Sequence, residues 1–504
     1  MANSSAAMTA PPLSAAAIAL NRFGLGARAD EAPPADPKHW LLAQFDAYQP
    51  MPSAWAAQLG SLAIAAQLAG ERQQAMANAS NATNATNATA SATNAASQPN
   101  AAANAEDARK AARQAANKAV RMESRDTYRA AVNARVASAL TTPAPFVERL
   151  VHFWANHFAV SVDKGDVAPY AGAFEAEAIR PHVLGRFEDM LVAVERHPAM
   201  QLFLDQTRSV GPDSVAAMRA AQRNPNRKPG LNENLAREIM ELHTLGVRSG
   251  YTQDDVTEFA RAMTGWSIAA AQGPQPGNAP PGAFVFRAPL HEPGTRTIMG
   301  RRYDQPGEAQ TLAVLHDLSS APATATHIAT KLARHFVADN PPPDVVDQLA
   351  TAFMRSRGDL PTVYRALIAS DAAWSPVAVK FKSPWEWTIS SMRGLGMHDP
   401  NDGARAVQMA PVLTQLGQQV WRPGSPAGYD DIAASWAAPD ALVRRVEIAQ
   451  RFAARVGDRL DARALGPTLM AGSLSEPTQM AVSRAESAST ALALLLASPD
   501  FQRR

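Results

Sequence analysis

Apolar residues recur at spacings near 3.6 along most of the chain, which is the signature of helices that bury one face. The pattern predicts helices over 145–160, 168–179, 197–206, 232–245, 252–264, 321–338, 343–355, 360–370, 384–395, 439–456 and 483–496. The start of the fifth is marked by Thr252 with Asp255 three residues on, a capping-box pattern, followed by a stripe of Val256, Phe259, Ala260 and Met263. Asn232 and Gly246 are placed to begin and end the helix before it. One region breaks the period. After a Gly/Pro-rich stretch, Phe284-Val285-Phe286 and Thr297-Ile298-Met299 flank His291-Glu292-Pro293-Gly294, which predicts a β-hairpin. The fold class expected is all-α, a large multi-helix body with one small β-hairpin insertion at about 272–305 and no βαβ alternation or fixed-period repeat.

The segment 74–116 departs from this texture. It repeats Asn-Ala-Thr at Asn81, Asn84 and Asn87 and holds almost no aliphatic side chain larger than Ala. Too little surface can be buried there to offset chain entropy, so it reads as a disordered, low-complexity Asn/Ala/Thr-rich insertion. The triplets match the glycosylation sequon but fit a slippage repeat better in a chain without an export signal. The resulting organisation is 1–73 as the N-terminal helical part of the main domain, 74–116 as the insertion, and 117–504 as the main helical domain.

Composition removes whole classes of chemistry. The 504 residues include no Cys, which excludes disulfides, thiolate zinc sites, iron–sulfur clusters and Cys nucleophiles. Any metal would have to sit on His, Asp, Glu or backbone oxygen. With 48 Lys+Arg against 46 Asp+Glu the net charge is +2, against a dedicated nucleic-acid role. The 252–264 helix agrees, since Asp254, Asp255 and Glu258 would repel phosphate. The first positive charge is Arg22, the early apolar run 13–20 is short, and no run reaches the roughly 18 apolar residues of a membrane span. Taken alone this predicts a cytoplasmic protein with no transmembrane segment.

The candidate chemistry lies on two helices. At roughly 100° per residue, Glu148, Arg149, His152 and Asn156 share one polar arc of the 145–160 helix, with His157 at its border. That arc is either a site wall, with His152 as ligand or general base oriented by Glu148 or Asn156, or a solvated polar face. On the 232–245 helix the string Glu238-x-x-Glu241-x-His243 splits. Glu238 and Glu241 fall on one face, while His243 falls on the apolar face, so one helix cannot bring all three to one metal. Glu238 and Glu241 could be paired carboxylate ligands, or members of a ladder in which Glu233, Arg237 and Glu241 alternate in sign. His243 could meet His152 or His157 from the neighbouring helix, or be a hydrogen-bonded core histidine.

Aromatic residues give a second signal. Trp421, Tyr429 and Trp436 surround the Pro/Gly-rich loop 422–428, as a substrate groove or as core. Trp385 and Trp387 read as core. The His291-Glu292-Pro293-Gly294 turn lacks the second His of a zincin, and the loop Asp163-Lys164-Gly165-Asp166 lacks calcium-loop spacing. No phosphate-binding glycine loop and no Gly-x-Ser-x-Gly elbow is present.

Several ordered strings point to one family. They are Leu20-Asn21-Arg22-Phe23-Gly24-Leu25-Gly26, His152-Phe153-Trp154-Ala155-Asn156-His157-Phe158, Asn232-Glu233-Asn234-Leu235-Ala236-Arg237-Glu238 running on to Leu242-His243-Thr244-Leu245-Gly246, Gly250-Tyr251-Thr252-Gln253, Thr264-Gly265-Trp266, Phe381-Lys382-Ser383-Pro384 and Ala497-Ser498-Pro499-Asp500-Phe501. Together they make the chain resemble the bacterial "domain of unknown function 1800" family from about residue 14 to 502. The resemblance implies no settled activity. It implies a neighbouring sulfatase-like "domain of unknown function 1501" protein as partner, and periplasmic or exported placement for many members. The functional expectation is an enzyme with a His/carboxylate site between the two helices. Its candidate metal ligands are His152, His157 and His243, with a divalent metal as the cofactor option and Asn156, Glu238 and Glu241 in support. The alternative is a non-catalytic binding or assembly partner of the sulfatase-like protein.

Overall fold

The computed structural model describes residues 11–93, 101–224, 230–270, 275–400 and 408–504. Helices dominate, and many begin as their sequences dictate. Pro145, Pro198, Pro322, Pro343, Pro384 and Pro439 each occupy the first turn of a helix, where the missing N–H costs nothing and the fixed φ already suits the helix. The Thr252–Asp255 capping box forms ahead of the helix Gln253–Met263. Asn232 accepts from the Asn234 backbone N–H at 2.9 Å. Gly246 takes the expected left-handed conformation, φ +89°, and a Cβ there would meet His327 Nδ1 at 2.9 Å.

Three elements converge on one aromatic cluster. The rings of Phe23, Phe146 and Phe336 lie within 5.6–5.8 Å of each other, tying the N-terminal segment to the helices Pro145–His157 and Pro322–Phe336. Trp154 adds a hydrogen bond from its indole to the Tyr364 hydroxyl at 2.7 Å. Buried Arg22 fixes the N-terminal segment by donating to the carbonyls of Ala373, Ser375 and Val377. These contacts hold the two helices that line the site.

The helical expectation needs local correction where the helices change pitch. Residues 168–179 run through a 3₁₀ turn, a short α segment and a π turn at Glu175–Ile179. The 232–245 segment is α only over Asn234–Glu238 and becomes a π turn over Ile239–His243. A π turn carries i→i+5 bonds, so angles counted at the α pitch drift beyond Glu238.

The β insertion also differs from expectation. Phe284–Phe286 and Arg296–Ile298 do not pair with each other. β1 (Trp266–Ile268) pairs antiparallel with β2 (Phe284–Phe286), and β3 (Arg296–Ile298) pairs antiparallel with β4 (Arg301–Tyr303). The tight turn that seats β3 against β4 is at Met299 and Gly300, both with positive φ. The His291–Gly294 stretch instead packs inward. Glu292 is buried, ion-paired with Arg261 at 2.6 Å and accepting from the Asp213 N–H.

The stretch 74–116, expected to be disordered, is helical where it is described. It belongs to two long helices, Ser61–Thr93 and Ala101–Thr141, which pack together and are bridged by Gln67 and Glu123 at 2.6 Å. The absence of aliphatic bulk pointed to disorder. The competing term is Ala, the strongest helix former, which repeats through the stretch. Residues 94–100 lie outside the described residues, and no side chain of the three Asn-Ala-Thr triplets beyond Asn81 is described.

Candidate active site

The helix Pro145–His157 carries the first wall. Its polar arc is not solvated, because Glu148, Arg149, His152 and His157 are all buried. Buried charge is tolerated only when paired. Glu148 meets that condition with a two-pronged ion pair to Arg180, both contacts at 2.8 Å, and a bond from Ser138 Oγ at 3.0 Å. Arg149 reaches Glu386 Oε1 at 2.6 Å and the Gly24 carbonyl at 2.9 Å. Asn156 is the half-buried member. It clasps the backbone of Tyr429, donating to its carbonyl at 2.9 Å and accepting from its N–H at 2.7 Å.

The second wall is the helix Pro322–Phe336. His327, Lys331 and His335 are spaced i, i+4, i+8, with Arg334 beside them, so all four line the same face. The start of the helix Pro384–Gly394 and the loop 418–431 close the remaining sides. The cavity between these walls has a volume of about 520 Å³. Trp421 lines it at φ +50°, a left-handed conformation rare for a bulky residue and of the kind that strained functional loops hold. Gly428 is required by the Asn156 clasp. Its φ is +85°, and a Cβ would stand 2.2 Å from the Asn156 carbonyl oxygen.

Within this cavity one imidazole is set up for proton transfer. His335 Nδ1 lies 2.5 Å from Asp431 Oδ2. Its Nε2 is buried and has no hydrogen-bond partner among the described residues; Glu386 Oε1, at 4.0 Å, is too distant to bond. Burial pushes the His335 pKa down more strongly than Asp431 raises it, so the ring is neutral near pH 7. Burial would raise the Asp431 carboxyl, but His335, Lys380 and Arg504 outweigh it and hold the group well below the usual carboxylate range. The Nδ1 proton therefore faces a carboxylate, and the Nε2 lone pair has no donor among the described residues. Lys380 supports Asp431 from behind, 3.3 Å from Oδ1 and 2.6 Å from its backbone carbonyl. Glu386 is anchored between Arg149 and Arg504 at 2.6 and 2.9 Å while capping its own helix at the Ser383 N–H.

The sequence-derived candidates divide. His152, Asn156, His157, Trp421 and Tyr429 line the cavity. Glu238, Glu241, His243 and Trp436 do not. His152 is neutral, its pKa driven far down by burial and then by Arg135, Arg180 and Arg149. Its Nδ1 lone pair accepts the Trp385 indole N–H at 3.1 Å, so the base role expected of it is blocked at that atom. The remaining Nε2 carries the proton, 3.7 Å from Glu148. His157 and His243 are neighbours with ring centroids 6.3 Å apart, and His157 Nε2 donates to the His243 carbonyl at 3.2 Å. His243 forms a sealed pair with Glu195 at 2.7 Å, away from the cavity. The three expected ligands do not gather. His152 turns toward Trp385, and among the described residues no group of three or more His, Asp or Glu is arranged to hold a metal ion.

The acidic face of the second candidate helix is the salt-bridge ladder, with Arg237 at 3.1 Å from Glu233 and 3.5 Å from Glu241. Glu238 is partly buried and its pKa is raised by that burial. Trp421 packs its ring against Arg135 and Tyr128 and donates to Glu175 at 3.1 Å, so it supports the cavity wall more than it offers a stacking face. Trp436 pins the loop through its indole bond to the Asp430 carbonyl at 2.8 Å.

Sequence reasoning missed His335, Lys331, Glu386 and Asp431. A signal was present for each of the first three. A His-x-x-x-Lys-x-x-x-His spacing interrupts an otherwise apolar helix, and Ser383 with Glu386 three residues on is a capping box. Asp431 stands 96 residues from its partner, with no local pattern to mark it.

The molecule is thus a predominantly helical protein with a cleft where histidines, cations and carboxylates meet. The chain belongs to the family described as "Protein of unknown function (DUF1800)", which matches residues 18–503. No curated protein and no solved structure matches it. Among the described residues no helix is long and apolar enough to cross a membrane.

Proposed function

We propose that the chain is an enzyme whose active site is this cleft, with His335 as the general base and acid and Asp431 as the group that orients it. The observation that carries the reading is that His335 lines the cavity with its Nδ1 held by a carboxylate and its buried Nε2 without a hydrogen-bond partner among the described residues. This is the arrangement by which a carboxylate fixes an imidazole tautomer and stabilises the imidazolium formed when Nε2 takes a proton. No side-chain nucleophile bonds to Nε2 among the described residues, so the proton is taken from water or from a substrate hydroxyl. Hydrolysis by activated water is the reaction class this supports best. His157 and Asn156 serve the site by shaping its wall and holding the 428–431 loop.

The test is a panel of chromogenic esters, glycosides and sulfate esters offered to the purified full chain and to His335→Ala and Asp431→Asn. Turnover by the wild type that falls about 100-fold or more in His335→Ala is expected, with Asp431→Asn also impaired. Turnover unchanged in a folded His335→Ala would overturn the assignment. A host phenotype fully retained by His335→Ala would instead fit the non-catalytic role beside a sulfatase-like protein, for which co-purification is the check.

A further inference from the structure

The charges in the cleft are not evenly satisfied. Two of its carboxylates are already held, Glu386 by the Arg149 and Arg504 guanidinium groups and Asp431 by the Lys380 ammonium and the His335 ring. The third acid, Asp430, is exposed and accepts from Ser435 Oγ at 2.8 Å. The cations on the helix Pro322–Phe336 are different. Among the described residues no hydrogen bond or ion pair reaches the Lys331 ammonium, although it is partly buried and lines the cavity. One turn to either side stand His327 and Arg334. His327 Nε2 is committed to the Leu242 carbonyl at 3.0 Å, and Arg334 Nε to the Asp339 carbonyl at 3.2 Å, so both side chains are fixed in place. No ion pair neutralises Arg334 either. A partly desolvated cleft with unpaired fixed cations on one wall is a site for negative charge.

We infer that Lys331 and Arg334 form a subsite for an oxyanion group of the ligand, a carboxylate, sulfate or phosphate, in the same cavity that His335 lines. Lys331 and His335 are one helical turn apart on one face, so an anionic group on Lys331 places the neighbouring part of the ligand beside the imidazole. Burial lowers the Lys331 pKa to about 8, so the ammonium is still largely charged at pH 7, and an anion would raise it again. The subsite deepens the acid–base reading and rests on it only for the claim that the ligand is a substrate; anion binding itself can be measured without turnover.

The experiment is calorimetric titration of the full chain with sodium sulfate, sodium phosphate and sodium D-glucuronate, against sodium chloride at matched ionic strength. Saturable binding of at least one of the three is expected. Loss of the Lys331 contact in Lys331→Gln should weaken it about tenfold or more, as the removal of a charge-assisted hydrogen bond does. Lys331→Arg should keep most of the affinity. Failure of all three anions to bind saturably, or equal binding by a folded Lys331→Gln, overturns the subsite while leaving the His335 assignment to the turnover assay. If Lys331→Gln fails to fold, Arg334→Gln takes its place, and unchanged binding there overturns the subsite in the same way.

Discussion

Asn156 holds the backbone of Tyr429 from both sides, donating to its carbonyl and accepting from its N–H, and so fixes the loop that delivers Asp431 to His335. The helix residue acts in place of a neighbouring strand. Asn156→Ala removes both bonds and leaves two backbone groups to find water. A loss of about 1–3 kcal/mol in denaturant stability is expected. Gly428→Ala should damage the same clasp by steric conflict. Unchanged stability in both variants would show that the clasp does not hold the loop.

Glu386 joins Arg149, Arg504 and the cap at Ser383. Glu386→Gln leaves two buried guanidinium groups without their counter-charge, for an expected loss of about 3–5 kcal/mol. The pH dependence has a definite sign. Burial would raise the carboxyl, but Arg149 and Arg504 outweigh it and hold it at about 2 against 4.5 for an ordinary Glu. Its contribution is present above pH 4.5 and is lost as the pH falls toward 2. Urea midpoints across that window should fall less steeply in Glu386→Gln than in the wild type.

Lys382 behaves in the opposite range. Burial, opposed by Glu386 and aided by Arg149, Arg504 and Arg445, lowers its pKa to about 7 from 10.5. Between those values the unfolded chain binds more protons than the folded one, so this group makes stability rise with pH from about 7 to 10.5. Its Nζ lies 3.2 Å from Ser390 Oγ and 4.1 Å from the Phe501 ring centroid, contacts that supply no full counter-charge. Lys382→Met should flatten the rise in melting temperature over that range. A slope equal to the wild type's would place the proton change elsewhere.

The helical reading of the described residues within 74–116 can be tested by replacing the segment with a short turn. Helical residues contribute to the far-ultraviolet signal in proportion to their number, so the mean residue ellipticity should stay nearly constant on excision. A clear gain in ellipticity per residue would mean that the removed segment was not helical.

Most of the architecture could be read from period and caps. Pro at first turns, the Thr252–Asp255 box and Gly246 are local instructions, and local instructions survive folding. The errors have equally physical origins. The 232–245 helix was counted at one pitch and ends in a π turn, although His243 is buried as its angle placed it. Disorder was read from missing bulk in a stretch where Ala propensity prevailed. The 145–160 polar arc was placed correctly on one face, yet sequence could not distinguish water from Arg180, Arg149's partner Glu386 and Trp385 as what covers it. The His335–Asp431 pair joins a helix to a loop far along the chain, and only tertiary packing creates it.

The central claim concerns one nitrogen atom, and ¹⁵N nuclear magnetic resonance of labelled histidine reads it directly. Near pH 7 His335 is expected to be a neutral ring protonated at Nδ1, with the Nε2 shift of a free lone pair, and Asp431→Asn is expected to disturb this tautomer. A His335 ring that is cationic at pH 7, or that carries its proton on Nε2, would contradict it.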